Sequence, residues 1–492
     1  MRGVFNIREI DLPPYAPTLI ESTRAIGYSL EAAVADIIDN SIAADAQNVD
    51  IFFFPIDGAY IAILDDGCGM NCEEINSAMQ YGSKDPLAVR DAKDLGRFGL
   101  GLKTASLSQC RVLTVVSKQG EHIEARRWDI DHVTNSGAWS LLVLENDDCS
   151  QIPHMTDLLK CSSGTLIVWQ NLDRLKIGEI KFEESLGRKI DAVREHLALV
   201  YHRYLTGETG LLKLTIRING AKVYARDPFL SKKSVQAMDD EAIIIHGEKI
   251  VVRPYILPHL SKLSAEEVND LGGKEGLRRQ QGFYIYRNKR LLVWGTWFRM
   301  MRQGEMSKLV RIRVDIPNAL DDLWTLDIKK SSAVPPAEVR ANLRSIIDKM
   351  AEKSKRTWTY RGKRETSDDI SHVWNRLKTR HGGYIYEINR DYPLIAEMIE
   401  AHPEIKAELS MLFRQIETGI PLNALYLDLT NDEKIENDND IQLSEIFKMV
   451  KQILKTTDTS QHEAVIETLI GSEPFNEFAA DIKKMFREGR FR

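Results

Sequence analysis

The sequence contains little cysteine and no long hydrophobic run. Its 492 residues include 5 cysteines, an odd and sparse set that is typical of reduced thiols rather than of a disulfide framework. The longest apolar runs, such as Ile61–Leu64, fall far short of the roughly 20 residues that a membrane-spanning helix needs. No apolar segment of a secretory signal follows Met1, so we expect a cytoplasmic protein that does not enter a membrane.

A strong excess of one charge is also missing. Lys and Arg number 66 against 72 Asp and Glu, so the net charge is -6, and 43% of the residues are hydrophobic. These proportions exclude wholesale disorder and argue against a uniformly basic nucleic-acid binder. Cys68 and Cys72 have no second pair at zinc spacing, so a structural zinc site is not expected. At roughly 100 to 200 residues per domain, the length predicts several domains.

The pattern of apolar residues predicts three domains. Residues 1–185 begin with an amphipathic helix over Ser29–Ala44 and continue with strand-like segments. This order predicts an α+β sandwich with helices on one face of a sheet. After a helix over Lys189–Tyr204, residues 186–340 form a second α/β domain whose first predicted strand is Leu212–Ile218. Residues 341–492 are predicted to be mostly helical.

Two segments of the first domain carry polar side chains in informative positions. Asp36, Asp39 and Asn40 share one face of the amphipathic helix, at i, i+3 and i+4. Asp65 ends an apolar strand and is followed by Gly67 and Gly69, where the backbone can approach a flat ligand. A carboxylate in this position can accept a hydrogen bond from an exocyclic amine. A solvated helix face and a plain strand-to-turn junction are the alternatives for each segment alone.

A third segment is rich in glycine. Gly96, Gly99 and Gly101 precede Lys103 and a short helical pattern, and such backbone amides with a cation are suited to binding phosphate. One residue separates Gly101 from Lys103 and no apolar strand precedes Gly96, so this is not a Walker A loop. Thr104 and the position in the chain also exclude a dinucleotide-binding loop.

In this order and at these spacings, the segments resemble the motifs of the GHKL (Bergerat-fold) ATPase superfamily, which includes gyrase B, MutL, large heat-shock chaperones, histidine kinases and MORC proteins. The matching segments are the asparagine box at Asp36–Ser41, the D-x-G-x-G motif at Asp65–Met70, the lid motif at Gly96–Lys103 and the late threonine at Gly164–Thr165. The segments Tyr81–Lys84 and Gly99–Ser106 are most similar to the MORC type.

The resemblance implies that the protein binds ATP with Mg²⁺ and slowly hydrolyses it. Asn40 would be the metal ligand, and Asp65, supported by Thr165, would accept the adenine amine. Segment 82–98 would form a mobile lid. The other implied nucleotide contacts are Gly67, Gly69, Met70, Gly96, Phe98, Gly99, Leu100, Gly101, Leu102, Lys103 and Thr104.

The position of the general base departs from the family pattern. The family usually has a glutamate four residues before the asparagine, whereas this chain has Asp36. The carboxylate is kept, but it is shorter by one methylene, and a displacement of about 1 Å can cost on the order of 10²-fold in rate. Slow hydrolysis is therefore expected, and ATP binding without hydrolysis is the alternative.

The second domain resembles the S5-like transducer of gyrase, MutL and MORC proteins. Tyr284–Leu292 resembles its strand and hairpin, and Leu326–Ser332 lies where a lysine loop reaches the γ-phosphate. The resemblance implies a catalytic role for Lys330, with Lys329 as the second candidate. A solvated lysine pair is the alternative reading.

Two basic segments bear on partners. Leu277–Arg302 contains seven Lys or Arg and no acid, and Lys353–Arg364 contains six, both interleaved with aromatic residues. Such segments contact a nucleic-acid backbone or form solvated faces. By analogy with the family, we expect an ATP-dependent homodimeric clamp, in which Met1–Glu21 is exchanged between protomers, acting on DNA in genome maintenance or antiphage defence. The alternatives are a chaperone-like remodelling ATPase and a nucleotide sensor that licenses an operon-encoded effector.

Overall fold

The computed structural model describes most of the chain in two compact units, residues 1–359 and 360–492. The described residues are 10, 12, 14–25, 27–82, 101–236, 240–258, 262–273, 276–304, 307–320, 323–326, 333–347, 371–378, 384–422, 425, 443–456 and 459–491.

The first unit contains helices and two main sheets. Its described helices are α1 (Ala16–Arg24), α2 (Leu30–Ala43), α3 (Cys72–Met79), α4 (Gly101–Leu107), α5 (Ile130–Ser136), α6 (Asn146–Ser150), α7 (Met155–Lys160), α8 (Asp173–Lys176), α9 (Phe182–Val200), α10 (His202–Thr206), α11 (Ala265–Gly272) and α12 (337–347). Its described strands are β1 (Asn48–Phe54), β2 (Tyr60–Asp65), β3 (Val112–Gln119), β4 (His122–Asp129), β5 (Leu142–Leu144), β6 (Ser163–Gln170), β7 (Thr215–Ile218), β8 (Ala221–Lys222), β9 (Val235–Gln236), β10 (Glu241–Ile245), β11 (Glu248–Ile256), β12 (Gly282–Arg287), β13 (Arg290–Thr296), β14 (Val310–Ile316), β15 (Thr325–Leu326) and β16 (Ala333–Val334).

The first sheet has the strand order β5-β4-β3-β6-β2-β1-β7-β8. Helices α2 and α9 pack on one face of it, where Val34 and Leu197 join strand residues such as Ile51 and Ile63 in the main core. A smaller cluster around Leu166 covers the opposite face with α7. This helix-covered sheet confirms the predicted α+β sandwich.

Helix α2 forms where the apolar period predicts it. The Ser29 hydroxyl accepts a hydrogen bond from the Ala32 amide at its start, and Val34, Ile37 and Ile38 are fully buried. The apolar face fixes the rotation of the helix against the sheet. The polar residues between these positions therefore point away from the sheet core.

One predicted strand lies in a different sheet from the one expected. The segment predicted as the first strand of the second domain, Leu212–Ile218, contains β7, which pairs in parallel with β1 from Asn48↔Thr215 to Ile51↔Ile218. Ile216 and Ile218 are buried in the core of the first sheet. Alternating apolar residues identify a strand but not the strand with which it pairs. The domain boundary at residue 185 stays a prediction.

The second sheet contains β10-β11-β14-β12-β13, with β9 beside β11. Alternate residues of β14, including Ile312 and Val314, pack on one side with Val339 and Leu343 of α12. On the other side, Tyr284 and Tyr286 pack with Leu199 and Phe229. This second face brings the β12–β13 hairpin beside the end of α9.

The second unit is mostly helical in its described part. Ile446, Val450 and Leu454 form a buried apolar stripe on one of its helices. The described elements are strands Trp374–Lys378 and Tyr384–Ile388 and helices Pro393–Ala401, Lys406–Thr418, Leu443–Thr456, His462–Ile470 and Ala479–Arg487. The strand pair was not predicted. Across the described residues of the whole chain, no helix is long and apolar enough to cross a membrane.

Candidate functional site

Asp65 lies at the end of β2, between β1 and β6, and its carboxylate is buried. It accepts hydrogen bonds from the Ser41 hydroxyl at 2.8 Å, the Gly67 amide at 3.0 Å and the Thr165 amide at 3.1 Å. A carboxylate offers about four lone-pair sites, so these three donors leave capacity for one more. The site can therefore accept a hydrogen bond from a ligand.

The surroundings of Asp65 also set its protonation. Burial raises the pKa of Asp65 above its usual range, and the hydrogen bonds from Ser41, Gly67 and Thr165 offset only part of this effect. A buried carboxylate gains more from a well-placed donor than an exposed one does, because water competes less. Asp65 is thus suited to distinguish a ligand amine from a ligand carbonyl.

The turn after Asp65 requires glycine. A Cβ atom at Gly69 would lie 2.1 Å from the Lys118 carbonyl oxygen, and the φ of Gly69 is +71°. A Cβ atom at Gly67 would lie 2.8 Å from the Ala44 Cβ atom. The next residue, Met70, donates its amide to the Ser117 hydroxyl at 2.8 Å. The turn therefore packs closely against both the end of α2 and β3.

Helix α2 presents the other predicted residues of the site. Asp36 and Asp39 are buried, whereas Asn40 is exposed. A Cβ atom at Gly101 would lie 3.6 Å from Asp36 Oδ2, so the start of α4 lies against this carboxylate. The hydrogen bond between Ser41 and Asp65 joins the same helix to β2. The fold thus brings the asparagine box and the D-x-G-x-G motif together.

Lys103 makes hydrogen bonds that the sequence did not predict. Its ammonium group donates to the carbonyl oxygens of Ala78 and Gln80, both at 2.8 Å, at the C-terminal end of α3. The side chain is buried, and its Nζ atom lies 5.9 Å from the centre of the Tyr81 ring. Lys103 therefore stabilises the end of α3, directly before the segment predicted as a lid.

The remaining predicted residues divide into described and undescribed positions. In α4, Thr104 is buried and Leu102 is half-buried against the main core. The predicted contacts Gly96, Phe98, Gly99 and Leu100, most of the predicted lid, and both candidate lysines Lys329 and Lys330 lie outside the described residues.

Two serines of the site were not assigned from the sequence. Ser41 stands inside the asparagine box, so the motif itself could have indicated it. Ser117 lies 3.1 Å from the Thr165 hydroxyl and donates to the Gly164 carbonyl at 3.2 Å. No local pattern marks Ser117, because its contacts depend on the pairing of β3 with β6.

The basic segment Leu277–Arg302 is buried in part. Tyr284, Tyr286, Arg287 and Arg290 are buried in the hairpin of the second sheet. They therefore do not form an aromatic and cationic surface, contrary to one reading of the sequence. Its exposed cations are Arg278, Arg279, Arg299 and Arg302. The second basic segment, Lys353–Arg364, lies outside the described residues.

A metal ion would need ligands beyond the protein side chains described here. Within the described ranges, no group of three or more His, Cys, Asp or Glu side chains is arranged to hold a metal. A single exposed amide such as Asn40 can serve as one oxygen ligand when a bound phosphate supplies others. The residues present fit a Mg²⁺ ion that arrives with a nucleotide.

Comparisons with known proteins agree with this geometry. Residues 28–165 match the family model described as histidine kinase-, DNA gyrase B-, and HSP90-like ATPase. The chain is 33% identical over 95 residues to ATPase morc-1 of Caenorhabditis elegans and 33% identical over 97 residues to human MORC family CW-type zinc finger protein 1. Each match covers 19% of this chain, and 11% and 10% of the two relatives. Residues 28–165 therefore belong to the GHKL ATPase superfamily, with similarity to the MORC ATPases.

Proposed function

We propose that the protein binds ATP at this site and hydrolyses it slowly to ADP and phosphate. The observation that carries the proposal is the buried Asp65 carboxylate, which retains acceptor capacity at the end of β2. The exocyclic amine of adenine would donate to it. Guanine presents a carbonyl oxygen at the corresponding position, which a carboxylate repels, so the site favours adenine.

Asp36 and Asn40 would act on the phosphates. They stand one helical turn apart on α2, so both side chains face the same direction. Asp36 lies on this face, and its Oδ2 atom is 3.6 Å from the position that a Cβ atom at Gly101, the first residue of α4, would take. It would orient and deprotonate the attacking water. Asn40 would hold Mg²⁺, which neutralises phosphate charge when it is bound.

We further propose that ATP binding produces a homodimeric clamp. Ile10, Leu12 and Tyr15 near the N-terminus are 72%, 82% and 61% exposed. An apolar segment exposed to this degree would be stabilised by burial against a second protomer. The similarity to MORC ATPases supports this part of the proposal.

DNA is the proposed substrate of the clamp, in genome maintenance or antiphage defence. The exposed arginines at 278, 279, 299 and 302 support contact with a phosphate backbone, although the buried cations of the same segment do not. A nucleotide sensor that binds ATP without turnover is a second candidate. It is favoured by the shorter aspartate at the general-base position.

ATP turnover with and without duplex DNA tests the proposal. We expect slow wild-type turnover that DNA stimulates, with at least a tenfold loss in Asp36→Ala and in Asn40→Ala. ATP binding without turnover would favour the sensor, and stimulation by unfolded clients but not by DNA would favour a chaperone. An absence of ATP binding would contradict the proposal altogether.

A further inference from the structure

We propose that Arg290 of the second sheet is a positioning residue for α2, the helix that carries Asp36 and Asn40. Its guanidinium is buried against Asp39 on that helix, and we infer that this pair fixes the helix for ATP hydrolysis. The inference rests on the proposed function of the α2 site.

The β12–β13 turn places Arg290 beside α2. Asn288 and Lys289 both have left-handed backbone conformations, with φ of 47° and 66°, which form the tight turn before Arg290. The Arg290 side chain is 5% exposed and Asp39 is 1% exposed. Arg290 Nε donates to Asp39 Oδ1 at 3.2 Å, across 251 positions of sequence.

Two tyrosines at the junction of α9 and α10 complete the contact. The Tyr201 hydroxyl lies 2.7 Å from Asp39 Oδ1 and 2.7 Å from the Ala35 carbonyl oxygen, both on α2. The Tyr204 hydroxyl donates to the Asn288 carbonyl at 2.5 Å, in the hairpin turn. The same junction therefore holds both sides of the Arg290–Asp39 pair.

The surrounding charges favour a cation at position 290. Burial lowers the pKa of Arg290, but Asp39, Tyr201 and Asp36 together outweigh this effect and raise it overall. Nearby His196 does not add a second cation beside Arg290, because burial and the charge of Arg290 lower its pKa to about 3. Without Arg290, Asp39 would be a buried carboxylate next to a second carboxylate, Asp36.

The position of Asp39 explains how the pair affects the site. Asp39 immediately precedes Asn40 and lies three residues after Asp36. Any rotation or shift of α2 that follows loss of the pair moves both side chains. A displacement of about 1 Å at a catalytic group can cost on the order of 10²-fold in rate. Arg290 acts on catalysis through Asp39 on α2. The adenine contact at Asp65 lies on β2, so we expect ATP binding to change less than turnover.

The experiment compares Arg290→Gln with Arg203→Gln. Arg203 is a matched control, since its side chain is 2% exposed and joins α10 to Asp315 of β14, while none of its described contacts involves α2. We expect Arg290→Gln to lower kcat at least tenfold with KM for ATP changed less than threefold. Arg290→Lys, which keeps the charge, should retain more than a third of kcat, and Arg203→Gln should lower it less than threefold.

Two further measurements separate positioning from general destabilisation. Adding Asp39→Asn to Arg290→Gln removes the buried negative charge that the lost guanidinium had balanced, so the double variant should recover at least threefold in kcat. In nucleotide-free protein, hydrogen exchange of α2 amides should be at least fivefold faster in Arg290→Gln and unchanged in Arg203→Gln.

The outcomes distinguish this inference from the proposed function. Equal losses in the two Gln variants, or wild-type kcat and α2 exchange in Arg290→Gln, would overturn the role of Arg290. A wild type without turnover would refute the proposed hydrolysis, and the exchange data would still decide whether Arg290 positions α2.

Discussion

The turn at Gly69 leaves no room for a side chain. Replacing Gly69 by alanine adds the cost of a left-handed backbone, about 1 to 2 kcal/mol, to a clash with the Lys118 carbonyl. We expect Gly69→Ala to lower the free energy of unfolding by about 3 kcal/mol or more, measured by urea denaturation.

Gly120 provides a control for this prediction. Its φ is +62°, but a Cβ atom there would meet nothing within 4 Å. Gly120→Ala should therefore cost only the backbone term, about 1 to 2 kcal/mol. Equal losses in the two variants would show that the close approach at Gly69 is not significant.

The protonation of Asp65 predicts a pH dependence of nucleotide binding. Because burial raises the pKa of Asp65, the carboxyl becomes protonated at a higher pH than the ordinary value of 3.8. It is ionised above its pKa and accepts the adenine amine, and it loses this ability as the pH falls through that pKa. We expect ATP affinity to decrease as the pH is lowered towards the ordinary value of 3.8, and to do so before that value is reached, while far-UV circular dichroism is unchanged. Constant affinity over this range would contradict the assignment.

At the scale of elements, the end of α3 depends on Lys103. Lys103→Met keeps most of the buried methylene chain but removes a charged donor from the Ala78 and Gln80 carbonyls. We expect a loss of about 2 to 3 kcal/mol in the free energy of unfolding without nucleotide, since hydrogen bonds to charged groups are worth about 1.5 to 3 kcal/mol.

Lys118 is a suitable comparison for Lys103. It donates to the carbonyls of Leu159 and Cys161 at the end of α7, but its contact with Leu159 is exposed. Lys118→Met should cost less than about 1 kcal/mol. If Lys103→Met is no more destabilising than Lys118→Met, then Lys103 has no structural role at the end of α3.

The sequence predicted elements better than their partners. The apolar period of α2 is a local property, and this helix begins and ends within one residue of its predicted bounds. The partner of β7 is not a local property, and that strand was assigned to the wrong sheet.

The same distinction applies to the site. Asp65, Asn40 and Thr165 stand in recognisable motifs, so the sequence could indicate them. Arg290 stands in no motif for the site, because its contact with Asp39 arises only when the second sheet packs beside α9 and α10. The carbonyl contacts of Lys103 likewise depend on how α3 and α4 pack.

At the scale of the whole molecule, the net charge of -6 is an average over different surfaces. Part of the positive charge of the basic segment Leu277–Arg302 lies inside the fold, where Arg290 pairs with Asp39. The proposed DNA contact depends on its exposed arginines at 278, 279, 299 and 302. A salt-sensitive retention of DNA by the ATP-bound protein is the corresponding expectation for the clamp.

The most direct test of the account is equilibrium binding of ATP and GTP, each with Mg²⁺, to the wild type and to Asp65→Asn. Asparagine has nearly the same shape but replaces part of the acceptor with a donor. We predict that the wild type binds ATP at least tenfold more tightly than GTP, and that Asp65→Asn loses at least tenfold in ATP affinity while remaining folded. Equal ATP affinities of the two proteins, or a wild type that does not bind ATP, would contradict the account.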